Sequence, residues 1–508
     1  MRLLKLLFSR FTLIALAILA QLVLLFVFIF SFTEYFIYFQ IASSVLAFLI
    51  LLRIINKPTN PSLKVGWLVV VLIFPICGTV IYILLSQNKL SRKTQKRYYI
   101  LAKHGIELSL ANTNKKEVAT MAKDRLGEVK YLAKANAMFA HTNTKTTYLA
   151  TGEEYFKNLI CDLKNAKKFI FMEYFIIEKG VMWNTILSIL KQKVKQGVEV
   201  RVMYDDIGSI NKIKSNYYKK LRKMGIACVK FNRFKPIMTA VHNNRDHRKI
   251  TVIDGTIGYT GGINFADEYI NEKILYGHWK DTGIRLEGEA VKNLTIMFLQ
   301  NYSVWNKKEE QMANYIPLQT NTDYKDGVVF AFGDGPNPLY PEAVGENAYL
   351  NIINIAKKYV YITTPYLIID YLLLNALRNA SLRGVDVKII TPHIPDKKTV
   401  FLLTRSNYTA LIEAGVKIYE YTPGFIHSKV ILSDDEVAIV GTINLDYRSL
   451  IHHFENGVWL YKTSSIKSIA FDLQNTLSVS KQISKKDAKQ NFFVRIICNI
   501  LNLFSPLL

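Results

Sequence analysis

The strongest constraint in this 508-residue sequence is a polar motif that occurs twice. Both copies read H-x-K-x4-D-x6-G-[GT]-x-N, and the second copy begins 180 residues after the first. The flanking segments repeat as well, because 166–171 returns as 356–361 and 197–202 returns as 384–389. A self-similar pattern of this length indicates one structural unit that is written twice in the chain.

Each copy of the repeat alternates strand-like and helix-like segments. A β-branched and aromatic run predicts a strand, the helical stretch after it ends at a glycine, and a second strand follows. This alternation is typical of an α/β fold in which helices flank a sheet. We therefore expect two tandem α/β domains, at 136–310 and 325–480.

The N-terminal region is apolar and basic. The first 100 residues contain 11 Lys and Arg but one acidic residue, Glu34, and they supply +10 of the net charge of +25. Three uncharged or nearly uncharged runs, at about 11–32, 35–52 and 65–85, have the composition of membrane-spanning helices. We expect 1–88 to be a membrane anchor with two or three spans, and the protein to be a multi-pass protein of the cell membrane.

Four regions of the chain carry additional expectations. The run 65–85 is either a full span or a re-entrant segment, because Pro75 and Gly78 interrupt it and basic residues follow. The charged stretch 89–135 is expected to be a linker that includes helix. The stretch 485–508 predicts an amphipathic helix, which fits a membrane surface or a position on the protein core. The insertion 232–246 predicts a lid, a membrane-touching loop or a plain surface insertion.

The spacing inside the motif has a physical meaning. Alternate side chains of a strand share one face, so the histidine and the lysine of each copy point the same way. The glycines allow a close approach of the backbone to a ligand, and the asparagine returns an amide to the same place. Two such half-sites would form a pocket for an oxyanion such as phosphate. The residues are His247, Lys249 and Asn264 in the first copy and His427, Lys429 and Asn444 in the second.

Two histidines that face each other across a phosphorus atom supply a complete reaction scheme without a metal or cofactor. One neutral imidazole attacks phosphorus, and the other, protonated, donates to the leaving alkoxide and later deprotonates the incoming hydroxyl. Carboxylates should orient the imidazoles, and Asp281 and Glu455 are the candidates. The motif residues Asp254 and Asp434 lie farther along the strands, and we expect them to brace the site rather than to react.

The paired motifs resemble those of the phospholipase D superfamily, and the resemblance extends over almost the whole chain to the bacterial cardiolipin synthases. It is carried by the two motifs and by the segments 67–85, 204–209, 261–269, 364–366 and 505–508. The resemblance implies two phospholipase D-like α-β-α sandwich domains related by a pseudo-twofold axis, behind N-terminal transmembrane helices. It also implies transfer of a phosphatidyl group from one phosphatidylglycerol to another, with release of glycerol, and His247 as the nucleophile. The run 11–32 departs from the pattern, because many members begin with the two later spans.

Other functions fit the same motifs. The motifs define chemistry on a phosphodiester and not the acceptor, so hydrolysis to phosphatidic acid and transfer to another alcohol remain alternatives. A nuclease or a non-catalytic binder of anionic polymers is less favoured, because much of the basic excess flanks apolar runs where anionic headgroups account for it. The expected partners are phosphatidylglycerol, other anionic phospholipids and the membrane, without nucleic acid. The oligomeric state and the side of the membrane stay open.

Overall fold

The computed structural model describes 16, 19–24, 26–27, 33–86, 90–111, 113–233, 243–308, 310–317, 323–336 and 339–507. The chain divides into two units. One is drawn from 1–89, 234–243 and 496–508, and the other from 90–233 and 244–495. Both copies of the repeated motif lie in the second unit. Most of the insertion predicted at 232–246 falls outside the described residues.

Helix α1 (Thr33–Asn56) is the long apolar helix of the first unit. Its segment Ile37–Asn56 has a mean hydropathy of 2.0 over 20 residues, enough for about 30 Å of bilayer core. Within the described parts of the chain it is the one helix with the length and composition of a membrane span. The predicted run 11–32 lies mostly outside the described residues, so the structure supports one candidate span rather than several.

The third predicted span, 65–85, is a hairpin of two short helices, α2 (Pro61–Ile73) and α3 (Pro75–Leu85). Helices of 13 and 11 residues extend about 20 and 17 Å, which is too short to cross a core of about 30 Å. Neither helix alone has the length of a membrane span, which favours the re-entrant alternative for this run.

The break between the two helices follows from the sequence. Pro75 has no N–H to donate and disfavours helical backbone at Phe74, which lies at φ −127° and ψ 75°. Gly78 then allows the helices to close, because a Cβ there would lie 2.3 Å from the Val70 carbonyl oxygen. The same residues that interrupt the apolar run therefore fold it back on itself.

The described residues of the second unit form two large β-sheets, of seven and eight strands, and two two-stranded sheets. The strands of the first half are β1 (Thr144–Leu149), β2 (Phe169–Tyr174), β3 (Glu199–Asp205), β4 (Ala227–Phe231), β5 (Ile250–Ile253), β6 (Ile257–Gly261), β7 (His278–Lys280) and β8 (Gly283–Gly288). Those of the second half are β9 (Val328–Asp334), β10 (Tyr359–Thr363), β11 (Leu367–Ile368), β12 (Asp386–Pro392), β13 (Lys417–Tyr421), β14 (Gly424–Ile426), β15 (Val430–Ser433), β16 (Val437–Gly441), β17 (Leu445–Asp446), β18 (Glu455–Tyr461) and β19 (Ser480–Gln482). The two-stranded sheets are β11-β17 and β14-β7.

The two large sheets have the same strand order. The first is β1-β8-β6-β5-β2-β3-β4, and the second is β9-β18-β16-β15-β10-β12-β13 with β19 added at the edge. In both sheets three strands pair in parallel, β2-β3-β4 and β10-β12-β13, and the strand that follows the motif histidine runs antiparallel beside them. The sequence repeat is therefore a repeat of α/β topology.

Helices cover the sheets and fill the space beside them. They are α4 (Arg92–Leu110), α5 (Lys115–Met121), α6 (Leu126–Asn136), α7 (Gly152–Asn165), α8 (Val181–Lys195), α9 (Tyr217–Lys223), α10 (Val291–Asn306), α11 (Val344–Ile355), α12 (Tyr371–Leu382), α13 (Lys398–Ser406), α14 (Tyr408–Ile412), α15 (Ser465–Ser478), α16 (Lys485–Ala488) and α17 (Phe492–Phe504). Helix α10 is buried along 291–304, and it contacts strands of the first sheet and β9 of the second. It is the central helix of this unit.

The stretch 89–135, for which the sequence predicted a linker, forms helices α4 to α6 and belongs to the core. Tyr98 of α4 is fully buried, and its hydroxyl donates to Asn301 of α10 at 2.6 Å. Glu128 of α6 is buried as well and accepts a hydrogen bond from the Trp459 indole at 2.8 Å. Charged residues at this spacing mark the exposed faces of packed helices, which composition alone does not distinguish from a linker.

The predicted C-terminal amphipathic helix is α17. It exposes large apolar side chains, with Phe492 at 61% and Phe493 at 76% of their surface, whereas Cys498 is buried. The turn that follows, Ser505–Leu507, contacts α2 within the first unit. An exposed apolar face of this kind suits a membrane surface.

Each motif aspartate lies at the far end of the strand that follows its motif histidine. Asp434 follows β15 in the left-handed region at φ 58°, and its carboxylate accepts three backbone N–H groups, from 357, 358 and 359, at 2.8 to 2.9 Å. Asp254 does the same for 167, 168 and 169 at 2.7 to 2.9 Å. These carboxylates hold the start of the central strands β10 and β2, and they lie away from the motif histidines.

Replacing Asp434 with Asn should therefore lower the free energy of unfolding. The amide loses the negative charge and turns one N–H toward a backbone donor, which costs about 1 to 3 kcal/mol. The readout is the thermal unfolding midpoint of the detergent-solubilised protein, followed by tryptophan fluorescence. Asp435→Asn is the matched control, because Asp435 shares the turn but its side chain accepts from the Tyr359 hydroxyl. Equal midpoints for the two variants would contradict the bracing role.

Candidate active site

Two short parallel pairings join the halves of the second unit at the motif histidines. Strand β14 pairs with β7, with Ile426 opposite Lys280, and an isolated bridge pairs Asp246 with Phe454. The residues after each pairing are the histidines, and their backbone N–H groups donate across it, from His427 to the Lys280 carbonyl at 2.7 Å and from His247 to the Phe454 carbonyl at 2.9 Å. In this register His427 lies opposite Asp281, and His247 lies opposite Glu455.

The imidazole–carboxylate pairs consequently cross between the halves. His427 Nδ1 lies 2.6 Å from Asp281 Oδ2, and His247 Nδ1 lies 2.9 and 3.0 Å from the two oxygens of Glu455. Both carboxylates are fully buried. Because Nδ1 faces a carboxylate in each pair, the carboxylates favour the tautomer with the proton on Nδ1 and the lone pair on Nε2, although Lys429 Nζ also lies 2.8 Å from His427 Nδ1. Asp281 and Glu455, the candidates from the sequence, thus each orient the histidine of the other half.

The variable [GT] position of the motif accommodates these carboxylates. At Gly262 a Cβ would lie 2.1 Å from Asp281 Oδ1, so glycine leaves the space that the aspartate occupies. At the equivalent place Thr442 donates its hydroxyl to Glu455, which also accepts from the Ser449 hydroxyl at 2.5 Å. Burial raises the pKa of Asp281 to about 6, against the opposing effect of Lys429 and the Thr282 N–H.

Both motif lysines are buried beside the histidines. Lys249 Nζ donates to the His247 carbonyl at 2.5 Å, and Lys429 Nζ donates to the His427 carbonyl. Burial lowers the pKa of Lys249 to about 7 and that of Lys429 to about 8, although nearby carboxylates partly offset this effect. Their ammonium forms are therefore costly in the free site, and an anion in the pocket would favour them.

The two histidines are neutral in the free site. Burial lowers the pKa of His247 and of His427 well below 6.5, and the charges of Lys249 and Lys429 lower both further. Each Nε2 therefore offers a lone pair at neutral pH. The sequence-based scheme requires one protonated imidazole, and an anionic phosphodiester bound between the lysines would favour that form.

The two asparagines differ in their surroundings. Asn264 accepts from the Ile176 N–H at 3.0 Å and donates to the Tyr269 hydroxyl at 2.7 Å. Tyr269 in turn packs edge-on against His427, with ring centroids 5.5 Å apart. Asn264 therefore supports the wall of the site, in addition to the phosphate contact expected of it. The Asn444 backbone N–H donates to the Ser449 hydroxyl at 2.9 Å. The same hydroxyl donates to Glu455, so Ser449 links Asn444 to that carboxylate.

Sequence reasoning did not single out one residue of the site, His453, or the buried arginine behind the first motif, Arg248. Arg248, the middle residue of the first motif, is fully buried and forms an ion pair with Glu173 at 2.8 Å. His453 lies beside the first motif histidine: its ring centroid is 5.6 Å from that of His247, and its Nδ1 is 3.7 Å from Glu455 Oε1. Its position two residues before the carboxylate was the available signal.

One group of side chains in the described chain has the composition of a metal site. Donor atoms of His247, His453 and Glu455 lie within 4.8 Å of one another. The buried Lys249 and Lys429 lie in the same pocket, and their positive charges oppose a divalent cation there. The arrangement as a whole instead suits an anion between two neutral imidazoles.

Comparisons with known proteins agree with this geometry. Residues 159–274 and 349–477 match the family described as "Cardiolipin synthase, PLD-like domain", and 45–87 match "Phospholipase_D-nuclease N-terminal". The chain is 43% identical to an uncharacterized protein of Streptococcus mutans over 473 residues, which cover 90% of this chain and 99% of the relative. It is 35% identical to the cardiolipin synthase of Halalkalibacterium halodurans over 456 residues, 88% of this chain and 90% of the relative.

A solved structure shares the fold. The crystal structure of phosphatidylserine synthase from Haemophilus influenzae Rd KW20 aligns with a TM-score of 0.55 at 15% identity, and the alignment covers 72% of this chain and 95% of the other. At this identity the similarity concerns the fold alone. The crossed histidine–carboxylate pairs, the family match and the relatives lead to one conclusion: the chain belongs to the bacterial cardiolipin synthase family of the phospholipase D superfamily.

Proposed function

We propose that the protein is a membrane-associated phosphatidyltransferase that makes cardiolipin and glycerol from two molecules of phosphatidylglycerol. The observation that carries the proposal is the pair of buried imidazoles, each oriented through Nδ1 by a carboxylate of the other half, beside two buried lysines. The relatives named cardiolipin synthase, at 33–36% identity over most of the chain, support the choice of this reaction.

In the first step His247 is the nucleophile. Its Nε2 lone pair attacks phosphorus, the bond from phosphorus to the glycerol oxygen breaks, and His427 Nε2–H donates its proton to that oxygen. Glu455 accepts the Nδ1 proton of His247 and stabilises the positive charge that develops on its ring. Lys249 and Lys429 hold the non-bridging oxygens as their negative charge increases. The products are free glycerol and a phosphatidyl group on Nε2.

In the second step His427 is the base. It takes the proton from a hydroxyl of the second phosphatidylglycerol, the hydroxyl oxygen attacks phosphorus, and the bond from phosphorus to His247 breaks. The same atoms act in reverse for the back reaction. Both histidines expose 7% of their surface, so little water reaches the intermediate, which favours transfer over hydrolysis.

The proposal includes an organisation for the whole chain. The domains at 136–310 and 325–480 would be related by a pseudo-twofold axis through the site, as the shared strand order supports. The anchor at 1–88 would cross the membrane at Ile37–Asn56, with a second crossing in the run 11–32. Phosphatidylglycerol and other anionic phospholipids would be the partners, and the basic residues near the apolar segments would attract them.

Purified protein given labelled phosphatidylglycerol in detergent should produce cardiolipin and glycerol. His247→Ala and His427→Ala should each lower turnover by at least about 10³-fold, because each removes a group that forms or breaks a bond. Thermal unfolding midpoints serve as the folding control. Phosphatidic acid without cardiolipin from the wild type would contradict the transferase assignment, and turnover retained in both variants would contradict the two-imidazole scheme.

The crossed pairing predicts which carboxylate serves which step. In the His427→Ala background the base of the second step is absent, so the phosphatidyl group should remain on His247, and Glu455→Gln should slow the formation of this adduct about 10- to 100-fold. Asp281→Asn should leave this single-turnover rate unchanged in the same background, because Asp281 acts through the absent His427. Rapid-quench measurement of the labelled enzyme gives both rates. If Asp281→Asn instead slows transfer of the phosphatidyl group to His247, each carboxylate serves the histidine of its own half.

The pKa values predict the pH dependence of kcat/KM for phosphatidylglycerol. Below about pH 6 Asp281 gains a proton and no longer orients His427, and above about pH 7 to 8 Lys249 and Lys429 lose the charge that binds phosphate. We expect a maximum between pH 6 and 7. Lys249→Arg should move the alkaline limb upward, because a guanidinium keeps its charge. A kcat/KM that stays constant up to pH 10 would contradict this assignment of the lysines.

A further inference from the structure

The product of the proposed reaction carries two phosphodiesters, and the two buried lysines account for one of them. Lys249 and Lys429 hold the phosphate at which bonds form and break. The acceptor phosphatidylglycerol brings its own phosphate, which is joined through the glycerol carbons to the hydroxyl that His427 deprotonates. This second anion therefore enters on the His427 side of the pocket, where a further cation would stabilise it.

The loop 393–397, between β12 and α13, lies beside the strand pairing that leads to His427. The Ile394 N–H donates to the carbonyl of Gly424, the first residue of β14, at 3.3 Å. At Gly277, which precedes the partner strand β7, a Cβ would lie 3.2 Å from Ile394 Cδ1. The loop consequently borders the pocket on the side where the alcohol leaves and enters.

The end of this loop is fixed to the aromatic wall around His427. The Tyr366 hydroxyl donates to Asp396 at 2.7 Å. Tyr366 packs against the core cluster that contains Tyr269 and Trp279, whose ring centroids lie 5.5 and 5.4 Å from that of His427. The hydrogen bond to Tyr366 also engages the one carboxylate of the loop.

Lys397 is the cation that the loop presents. Its side chain is exposed, and its ammonium lies 5.7 Å from the centre of the Tyr366 ring. Across the described residues this ammonium has no ion-pair partner, although Asp396 is its neighbour in the chain. The charge of Lys397 is therefore available to an anion that enters from the solvent.

The charge of Lys397 also acts on both reacting imidazoles. Burial is the main cause of the lowered pKa values of His247 and His427, and the charges of Lys249, Lys429 and Lys397 lower them further. Because a Coulomb interaction weakens with distance and in water, an exposed lysine has this effect only close to the pocket. The pocket thus combines two buried cations with one exposed cation.

We propose that Lys397 binds the second phosphodiester, the one that belongs to the acceptor phosphatidylglycerol. The inference rests on the proposed phosphatidyl transfer and names a specificity residue for its acceptor. Lys397 favours an anionic lipid over a neutral alcohol, and it takes no part in bond formation. Glycerol offers the same kind of hydroxyl without a phosphate, so it gains nothing from this contact.

Two soluble acceptors that compete for one intermediate test this subsite. The full-length protein in detergent is given phosphatidylglycerol labelled in the acyl chains, together with deuterated glycerol and glycerophosphoglycerol, which is phosphatidylglycerol without its acyl chains. Both acceptors capture the same phosphatidyl-enzyme, so the product ratio, measured by mass, is independent of the first step. Lys397→Gln should lower the ratio of phosphodiester to glycerol product about three- to fivefold, the effect of one exposed ion pair. Lys397→Arg, which keeps the charge, should keep the wild-type ratio.

The neighbouring lysine supplies the matched control. Lys398 is also exposed, and Lys398→Gln should leave the product ratio at the wild-type value. An equal fall in both glutamine variants would assign the preference to the general surface charge and overturn the subsite. An unchanged ratio in Lys397→Gln, even with slower turnover, would overturn it as well. Wild-type protein that makes neither product and no cardiolipin would instead overturn the proposed function, and the subsite with it.

Discussion

The site depends on two short parallel strand pairings that exchange partners between the halves of the duplicated unit. They place His427 opposite Asp281 and His247 opposite Glu455, so neither half contains a complete histidine–carboxylate pair. A duplicated domain with self-contained pairs would form two independent sites. The exchange instead makes one site that exists where the halves meet, and it explains why both copies of the motif are required.

Burial of these charged groups costs solvation free energy, and it also sets the protonation states that the proposed reaction uses. Lys249, Lys429, Asp281 and Glu455 are all removed from water, and burial raises the pKa of Asp281 while it lowers those of the lysines. Removing one member of such a network leaves another charge buried and unpaired, which typically costs about 3 to 5 kcal/mol. The same burial keeps both imidazoles neutral. An anionic phosphodiester bound between the lysines would stabilise their ammonium forms and would favour protonation of one histidine.

The polar core also shows how near-identical motifs acquire different surroundings. Gly262 leaves space for Asp281, whereas Thr442 donates a hydrogen bond to Glu455. Trp279 and His453 occupy equivalent positions beside the two motif histidines. These differences lie outside the letters that the two copies of the motif share, and they give the two motif histidines different neighbours.

The sequence by itself determined the duplicated α/β fold, the candidate reacting residues and an apolar N-terminal segment, because repeats, motif spacing and hydrophobic runs are local properties of a chain. Only the tertiary structure decided that the carboxylates cross between the halves, that His453 lies beside His247 and that 92–136 packs as core helices. Each of these depends on strand register or on contacts between residues that are far apart in the chain. The hairpin at 61–85 lies between these cases. Pro75 and Gly78 marked the break in the sequence, but the close approach of Gly78 to Val70 was needed to distinguish a hairpin from a kinked span.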